Sequence, residues 1–357
     1  MSDAVNTPAI PALLEALCAG RDLAASEAEA LFTQVFEGKV DAAQLAAVLT
    51  ALRIKGETPA EIGGAARAMV AAATPFPRPE GFEIGEIVGT GGDGFQTINV
   101  STTTALIAAG AGLLIAKHGN RGVSSRSGAS DLLSAIGVDI RPEPAQSAEL
   151  LARTGFCFCF AQLYPPAMRF AGPVRTSLRV RTLFNILGPL TNPARPDYAL
   201  IGVYDPKLLE TVARSLRELG VKRAFVVHGA GLDEVAVHGD TQAVELREDG
   251  SLAPRVFTPA DFGVSAPHAI EDIQGGDPAD NALISEAILS GRGTAAQKDF
   301  IAANLSLLML LAGKTATLPE AIAAARAAMA SGGGLKTLEA HRAFARERAE
   351  RSERRAA

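Results

Sequence analysis

The chain has 357 residues, 48% of them hydrophobic and 20% charged, with a formal net charge of −5. That length exceeds one simple core and predicts a large domain with a smaller one. The acidic balance argues against broad nucleic-acid binding, which favours a basic surface. Tryptophan is absent and aromatics are 5%, so the core must rest on Ala, Val, Leu and Ile.

The N-terminus, "MSDAVNTPAI", has no basic start and no apolar signal core. The first 75 residues read as a helical domain. Ile10, Leu13, Leu14 and Leu17 form one apolar stripe. Ser26 with Glu29 reads as a capping box ahead of Leu31, Phe32, Val35 and Phe36. Asp41 opens a helix with Leu45, Val48, Leu49 and Leu52 on one face, and Gly56 ends it. Thr58-Pro59-Ala60-Glu61 then supplies an N-cap, a proline at the first helical position and an acid at the third. The prolines of "TPFPRPEGF" (74–82) read as a stiff linker.

From residue 82 to about 345 the pattern changes to α/β. "EIGEIVG" is a strand entering a glycine loop, "VSTTTALIAAGAG" a helix, and Leu113–Ala116 a buried strand running into "KHGNRGVSSRSG". "ASDLLSAIGV" reads as a helix and "GFCFCFA" as a strand with Cys157 and Cys159 on one face. That pair is too close for a relaxed disulfide and has no second pair to complete a zinc site. With Cys18, these are free thiols of a reducing compartment. "MRFAGPVRTSLRVRTLFNILGPLTNP" reads as helical, so about 165–190 would rejoin the N-terminal helices. "ALIGVYD" (strand), "PKLLETVARSLRELG" (helix) and "KRAFVVHG" (strand) follow, and "AANLSLLMLLAG" reads as a core helix. Strands alternating with helices predict a mostly parallel sheet. The last residues, 346–357, read as a charged tail that frays. The longest apolar run, Thr104 to Ala116, is shorter than the roughly 20 residues a membrane span needs, so a cytoplasmic protein is expected.

Gly89-Thr-Gly-Gly-Asp-Gly94 fits G-x-G-x-x-G between a strand and a helix, where backbone N–H groups can face an anion. A dinucleotide site also wants an acid about 20 residues on. The chain offers Lys117, His118 and Arg121 there, with no acid between Asp93 and Asp131. Asn99, Ser101, Thr102, Thr103 and Thr104 crowd the next helix start. That many hydroxyls exceed what a cap requires and suit an anion or a metal-bound phosphate. Ligands of open parallel sheets sit beyond the carboxyl ends of the strands. The glycine loop, the basic loop after Lys117 and "GLDEV" with Asp233-Glu234 would therefore share one rim. Mg²⁺ binds through one or two carboxylates plus phosphate oxygens and water, which this rim could supply.

"GTGGD", Thr97-x-Asn99-x-Ser101-Thr102, "KHGNR", "RTLFNILGPLTNP" and "GLDEV" together resemble the anthranilate phosphoribosyltransferase family, in its order and approximate spacing, to about Leu338. The resemblance implies a small helical domain, a larger α/β domain with the site at the hinge, and a homodimer through the helical domains. It implies that 5-phosphoribosyl 1-diphosphate is held by Gly89, Gly92, Asp93, Thr97, Asn99, Val100, Ser101 and Thr102. The basic loop would add Lys117, His118, Gly119, Asn120, Arg121, Gly122, Val123, Ser124 and Ser125. After "SSRSG" the family often has a donor-binding serine; this chain has Ala129, with Ser130 beside it. By resemblance, Gly89, Asn120 and Arg175 contact anthranilate, while Ser101, Asp233 and Glu234 bind Mg²⁺.

The implied reaction displaces diphosphate from the ribose by an amine that is neutral at pH 7. It needs positioning and charge neutralisation, from cations such as Lys117 and Arg121, more than a strong base. No dedicated proton acceptor stands out; His118 reads first as a hydrogen-bond donor to ligand or backbone. Arg175 suits a carboxylate, whereas Arg179 and Arg181 read as surface arginines or structural pairs. A second "GGD", at Gly275–Asp277, reads as a turn. Two alternatives stay open. One is a pyrimidine nucleoside phosphorylase of the same architecture; the other is a non-catalytic, nucleic-acid-binding relative.

Overall fold

A computed structural model of the chain describes residues 9–122, 126–164 and 168–356. Four helices come first: α1 (Ile10–Cys18), α2 (Ala25–Phe36), α3 (Ala42–Lys55) and α4 (Pro59–Ala71). Asp41 caps α3, accepting from Gln44 N at 2.8 Å, and Gly56 closes it at φ 89°. Thr58 caps α4, and the buried Glu61 carboxylate returns to Thr58 N at 2.8 Å. The capping box expected at Ser26 and Glu29 is displaced. The chain enters α2 at Ala24, so Glu27 accepts from Ala24 N at 2.9 Å, and Glu29 pairs with Arg67 instead.

The α/β part runs β1 (Gly85–Gly89), α5 (Val100–Gly110), β2 (Ile115–Gly119), α6 (Ala129–Ala135), α7 (Pro144–Thr154) and β3 (Phe156–Phe160). Then come α8 (Met168–Leu178), α9 (Phe184–Leu187), β4 (Tyr198–Gly202), α10 (Leu209–Glu218) and β5 (Arg223–Gly229). The hairpin β6 (Thr241–Leu246) and β7 (Leu252–Phe257) precedes α11 (Pro278–Leu289), α12 (Ala295–Leu311), α13 (Leu318–Ala330) and α14 (Gly333–Ala356). The seven strands form one sheet in the order β3-β2-β1-β4-β5-β6-β7. The first five are parallel and the hairpin adds two antiparallel strands.

Side chains alternate across the sheet. Phe156, Phe158, Phe160, Ile87, Leu200 and Val227 enter the core beneath α5 and α12. Cys157, Cys159 and Ala116 take the opposite face with Tyr164, and all are buried. Ala199, Ile201, Ala224 and Val226 share an apolar cluster with α1–α4. Ala171, Val174, Phe184 and Leu187, from α8 and α9, belong to that same cluster. The helical segment between them breaks at Arg179, whose φ of 51° is left-handed. The chain stays helical to Ala356, past the point where fraying was expected, and Arg348 pairs with Asp139. Among the described residues no helix is long and apolar enough to cross a membrane.

His341 of α14 lies against β3, its Nε2 3.2 Å from Phe156 O and 3.0 Å from Thr154 Oγ1. Burial pushes its pKa down to about 4 from 6.5. The unfolded chain therefore takes up a proton before the folded one does. The stabilisation is complete above about pH 6.5 and is lost as pH falls towards 4, by about 3 kcal/mol at most. Raised carboxylates elsewhere oppose this trend, so the test is a difference. The destabilisation caused by His341→Gln, from urea titrations, should hold between pH 7.5 and about 6.5 and then shrink towards pH 4.5. A gap that does not change with pH would exclude the assignment.

Candidate active site

The chain leaves β1 for β2 and β3, then returns to β4 on the other side of β1. This reversal opens a crevice at the carboxyl ends of β1 and β4, the usual ligand position in such sheets. Gly89 and Gly202 are register partners at that edge. Asp233 sits on both: a Cβ added to Gly89 would collide with its carboxylate, and one added to Gly202 with its backbone carbonyl. Only glycine allows so close an approach.

The glycine loop wraps this acid. Gly91 N donates to Asp233 Oδ2 at 2.6 Å, Thr90 N to Gly202 O at 2.9 Å and Phe95 N to Asp93 Oδ1 at 3.0 Å. Gly91, Gly92 and Gly94 have φ values of 69°, 80° and 89°. The N–H groups of Gly92, Asp93 and Gly94 donate to no partner among the described residues. Successive N–H groups without protein partners at a strand end are the kind of donors that can receive an anion.

The carboxylates beside it are strongly perturbed. Burial, then the charge of Asp93, raises Asp233 to about 7. Burial, then Asp233, raises the partly buried Glu234 to about 8. Ser101 Oγ donates to Glu234 Oε1 at 2.6 Å, so all three residues of the expected metal set meet here. No preformed metal cage of three or more acidic, histidine or cysteine groups exists among the described residues. Mg²⁺ does not require one, because substrate oxygens and water complete its shell. The donor set is all oxygen and rich in carboxylate, with three acids near one ammonium, and it fits that ion.

Lys117 departs from expectation. It is 2% exposed, and its Nζ donates to Ile87 O at 2.7 Å. Strand alternation puts Lys117 on the same sheet face as Ile115, in the core that α5 and α12 cover. The ammonium faces inward, near Glu86, Glu234 and Asp233, and burial lowers its pKa despite them. His118 Nδ1 lies 3.0 Å from Gly188 O, which can only accept, so Nδ1 carries the proton. Burial takes its pKa to about 4, leaving a neutral ring and a weak base.

Glu86 is a residue that periodicity missed. Its buried carboxylate accepts from His118 N at 2.7 Å and Asn192 Nδ2 at 2.6 Å, locking the basic loop to the "GPLTNP" turn. The available signal was an acid inside an otherwise apolar strand. Arg181, read as a surface arginine or a structural pair, is exposed and its Nη2 donates to Gly92 O at 2.7 Å. The second "GGD" is a turn, but a placed one. Gly275 N donates to Gln96 O at 2.7 Å, and Thr97 bridges Gln274.

The other expected residues divide. Asn99 holds Ser127 O at 2.9 Å and accepts from Asn281 at 2.8 Å, joining both loops to α11. Val100 and Thr102 are buried at the start of α5. The hydroxyl run is not all directed at the crevice: Thr103 bonds Asn99 O and Ser285, and Thr104 is buried without a partner among the described residues. Helical geometry turns successive side chains about 100°, so a run of four cannot share one face. Asn120 Oδ1 accepts from Arg121 N at 2.8 Å and from Gln162 Nε2 at 3.4 Å. Arg121 is exposed, 3.4 Å from Asp131, which also anchors Gly122 N and Gly128 N. Ala129 lies against Gly119, and the buried Ser130 hydroxyl has no partner among the described residues. Val123, Ser124 and Ser125 lie outside the described residues. Arg175, on α8, is half-buried, 5.4 Å from the Phe184 ring, with no acid paired to it among the described residues. Desolvation lowers its pKa.

Known proteins match this architecture. The model for "Glycosyl transferase family, helical bundle domain" matches residues 11–73. The model for "Glycosyl transferase family, a/b domain" matches residues 83–335. The anthranilate phosphoribosyltransferase of Aeromonas salmonicida is 53% identical over 319 residues, 89% of this chain and 94% of that protein. That of Vibrio cholerae is 50% identical over 313 residues, 87% and 93% respectively. The Thermus thermophilus enzyme's crystal structure superposes with a TM-score of 0.88 at 40% identity, over 93% of this chain and 99% of its own. The Saccharomyces cerevisiae enzyme in complex with PRPP (5-phosphoribosyl 1-diphosphate) and Mg has a TM-score of 0.85 at 28% identity, over 96% and 98%. These likenesses favour neither the nucleoside phosphorylase nor the nucleic-acid-binding alternative. The helical bundle, the α/β sheet and the relatives agree: the chain belongs to the anthranilate phosphoribosyltransferase family of glycosyltransferases.

Proposed function

We propose that this crevice transfers the 5-phosphoribosyl group from 5-phosphoribosyl 1-diphosphate to the amine of anthranilate, a step of tryptophan biosynthesis. The carrying observation is the three free N–H donors of Gly92–Gly94 beside the perturbed Asp233 and Glu234. The N–C1 bond forms as the C1–O bond to diphosphate breaks, and the amine then loses a proton. The loop N–H groups bind phosphate oxygens, and the amide of Asn120 and the guanidinium of Arg121 border them. Lys117 works from beneath, balancing Glu86, Asp233 and Glu234, rather than touching the leaving group. His118, with Nδ1 committed to Gly188, presents Nε2 as an acceptor for a hydrogen bond. Asp233, Glu234 and Ser101 would hold Mg²⁺, which when bound offsets the charge developing on the departing diphosphate.

We also assign a homodimer through the helical part, supported by exposed Ile54 on α3 and exposed Phe170 on α8, the two helices being in contact. A cytoplasmic location accords with the buried free thiols. Mixing the protein with anthranilate, 5-phosphoribosyl 1-diphosphate and Mg²⁺ should extinguish anthranilate fluorescence. Folded protein that leaves the signal unchanged would sink the reading.

Arg175 carries the anthranilate assignment. A half-buried guanidinium with no acid paired to it among the described residues suits a carboxylate. Arg175→Ala should raise the anthranilate KM about tenfold or more and leave the donor KM within about twofold. Equal effects on both substrates would refute this division of roles.

A further inference from the structure

The glycine loop is gripped from two directions. Asp233 holds Gly91 N, and Arg181 Nη2 holds Gly92 O at 2.7 Å. The Arg181 guanidinium also lies over the Tyr204 ring, 4.0 Å from its centroid. Tyr204 N donates to Thr90 Oγ1 at 3.1 Å, which closes a circuit back to the loop. Even the space above Gly92 is set by this arginine, whose Nη2 lies 3.3 Å from where a Cβ would stand.

Local structure delivers Arg181 to this place. α8 stops at Leu178, and Arg179 turns left-handed at φ 51°, its N–H closing on Arg175 O. The next turn begins where Thr182 N meets Asn185 Oδ1 at 2.9 Å. Between these points the chain is short and constrained, and Arg181 extends from it to the loop.

We propose that Arg181 is a positioning residue for the phosphoribosyl donor, one that aims the loop's N–H groups. A trans peptide is planar, with its carbonyl and N–H pointing in opposite directions. Anchoring Gly92 O therefore turns the Asp93 N–H away from Arg181, leaving it to the donor's phosphate. Gly92 at φ 80° has no side chain to hold that plane, so without the anchor the peptide can flip. The stack on Tyr204 fixes the plane of the guanidinium, and a charged donor strengthens the bond it makes. Arg181 sits in the connection between α8 and α9, whose apolar residues pack with the N-terminal helices. It thus ties donor-loop geometry to the seating of the helical part.

The inference rests on the loop binding 5-phosphoribosyl 1-diphosphate, and wild-type turnover in the same assay tests that separately. Steady-state kinetics with each substrate varied would be run on Arg181→Ala, Arg181→Lys and Tyr204→Leu. Arg181→Ala should raise the donor KM about tenfold, with the anthranilate KM within about twofold. Arg181 is exposed, so melting should shift by only a few degrees. Arg181→Lys, able to donate but not to stack flat, should recover part of the loss. Tyr204→Leu should raise the donor KM about threefold in the same direction. Millimolar guanidinium added to Arg181→Ala should lower its donor KM again, which a purely structural defect would not allow. An unchanged donor KM, or equal rises for both substrates, overturns the proposal.

Discussion

Asp233→Asn combined with Glu234→Gln is expected to lower kcat/KM by about a hundredfold to a thousandfold, to raise the Mg²⁺ requirement and to make the protein more stable. The gain in stability distinguishes this prediction from ordinary damage. Both carboxylates sit above their ordinary pKa values, at about 7 and about 8, because burial disfavours their charge, reinforced by Asp93 beside Asp233 and by Asp233 beside Glu234. A carboxylate with a raised folded pKa destabilises the fold once pH passes its unfolded value, so at pH 8 both pairs of oxygens are held at a cost. Neutral isosteres remove that cost while keeping shape, and Lys117 retains Glu86 and Ile87 O as partners. Melting in the presence of a chelator should rise by a few degrees, while activity against Mg²⁺ concentration shifts or collapses. A fall in melting temperature, or an unshifted Mg²⁺ curve, would count against the site. Sites that hold like charges together commonly exchange stability for function in this way.

Gly89→Ala is expected to cost at least about a hundredfold in kcat/KM with the fold retained. The new methyl would stand where the Asp233 carboxylate now lies. A side chain can yield, so overpacking should cost about 1–3 kcal/mol and not global folding. What it cannot do is yield without leaving Gly91 N and the crevice floor. Gly202→Ala is the companion measurement. There the collision is with the Asp233 backbone carbonyl, which has no rotamer to change, so both melting temperature and activity should drop. Activity in Gly89→Ala within about threefold of wild type would falsify the close-approach argument.

Much of this was legible from the chain alone, for local reasons. Asp41 and Thr58 announce helix starts because a capping side chain serves N–H groups three residues away. Alternation in "GFCFCFA" separates the phenylalanines from the thiols because strand side chains alternate. The glycine loop followed by hydroxyls and then a basic loop marks a phosphate rim, because consecutive parallel strands end on the same side. Glu27 replacing the expected Ser26–Glu29 box shows the limit: composition places a helix start only to within a couple of residues.

The sequence by itself determined the N-terminal helices, the five parallel strands and the residue types of the loops that follow them, but not the β6–β7 hairpin or helices α7, α11 and α13. Tertiary structure alone decided what faces what. Sheet order set Asp233 on Gly89 and Gly202, turned Lys117 inward, buried Glu86 between His118 and Asn192, and carried Arg181 to Gly92. The physical reason is that periodicity records whether a side chain is covered. The partner that covers it is chosen by strand pairing between segments far apart in the chain, and no local pattern encodes that choice.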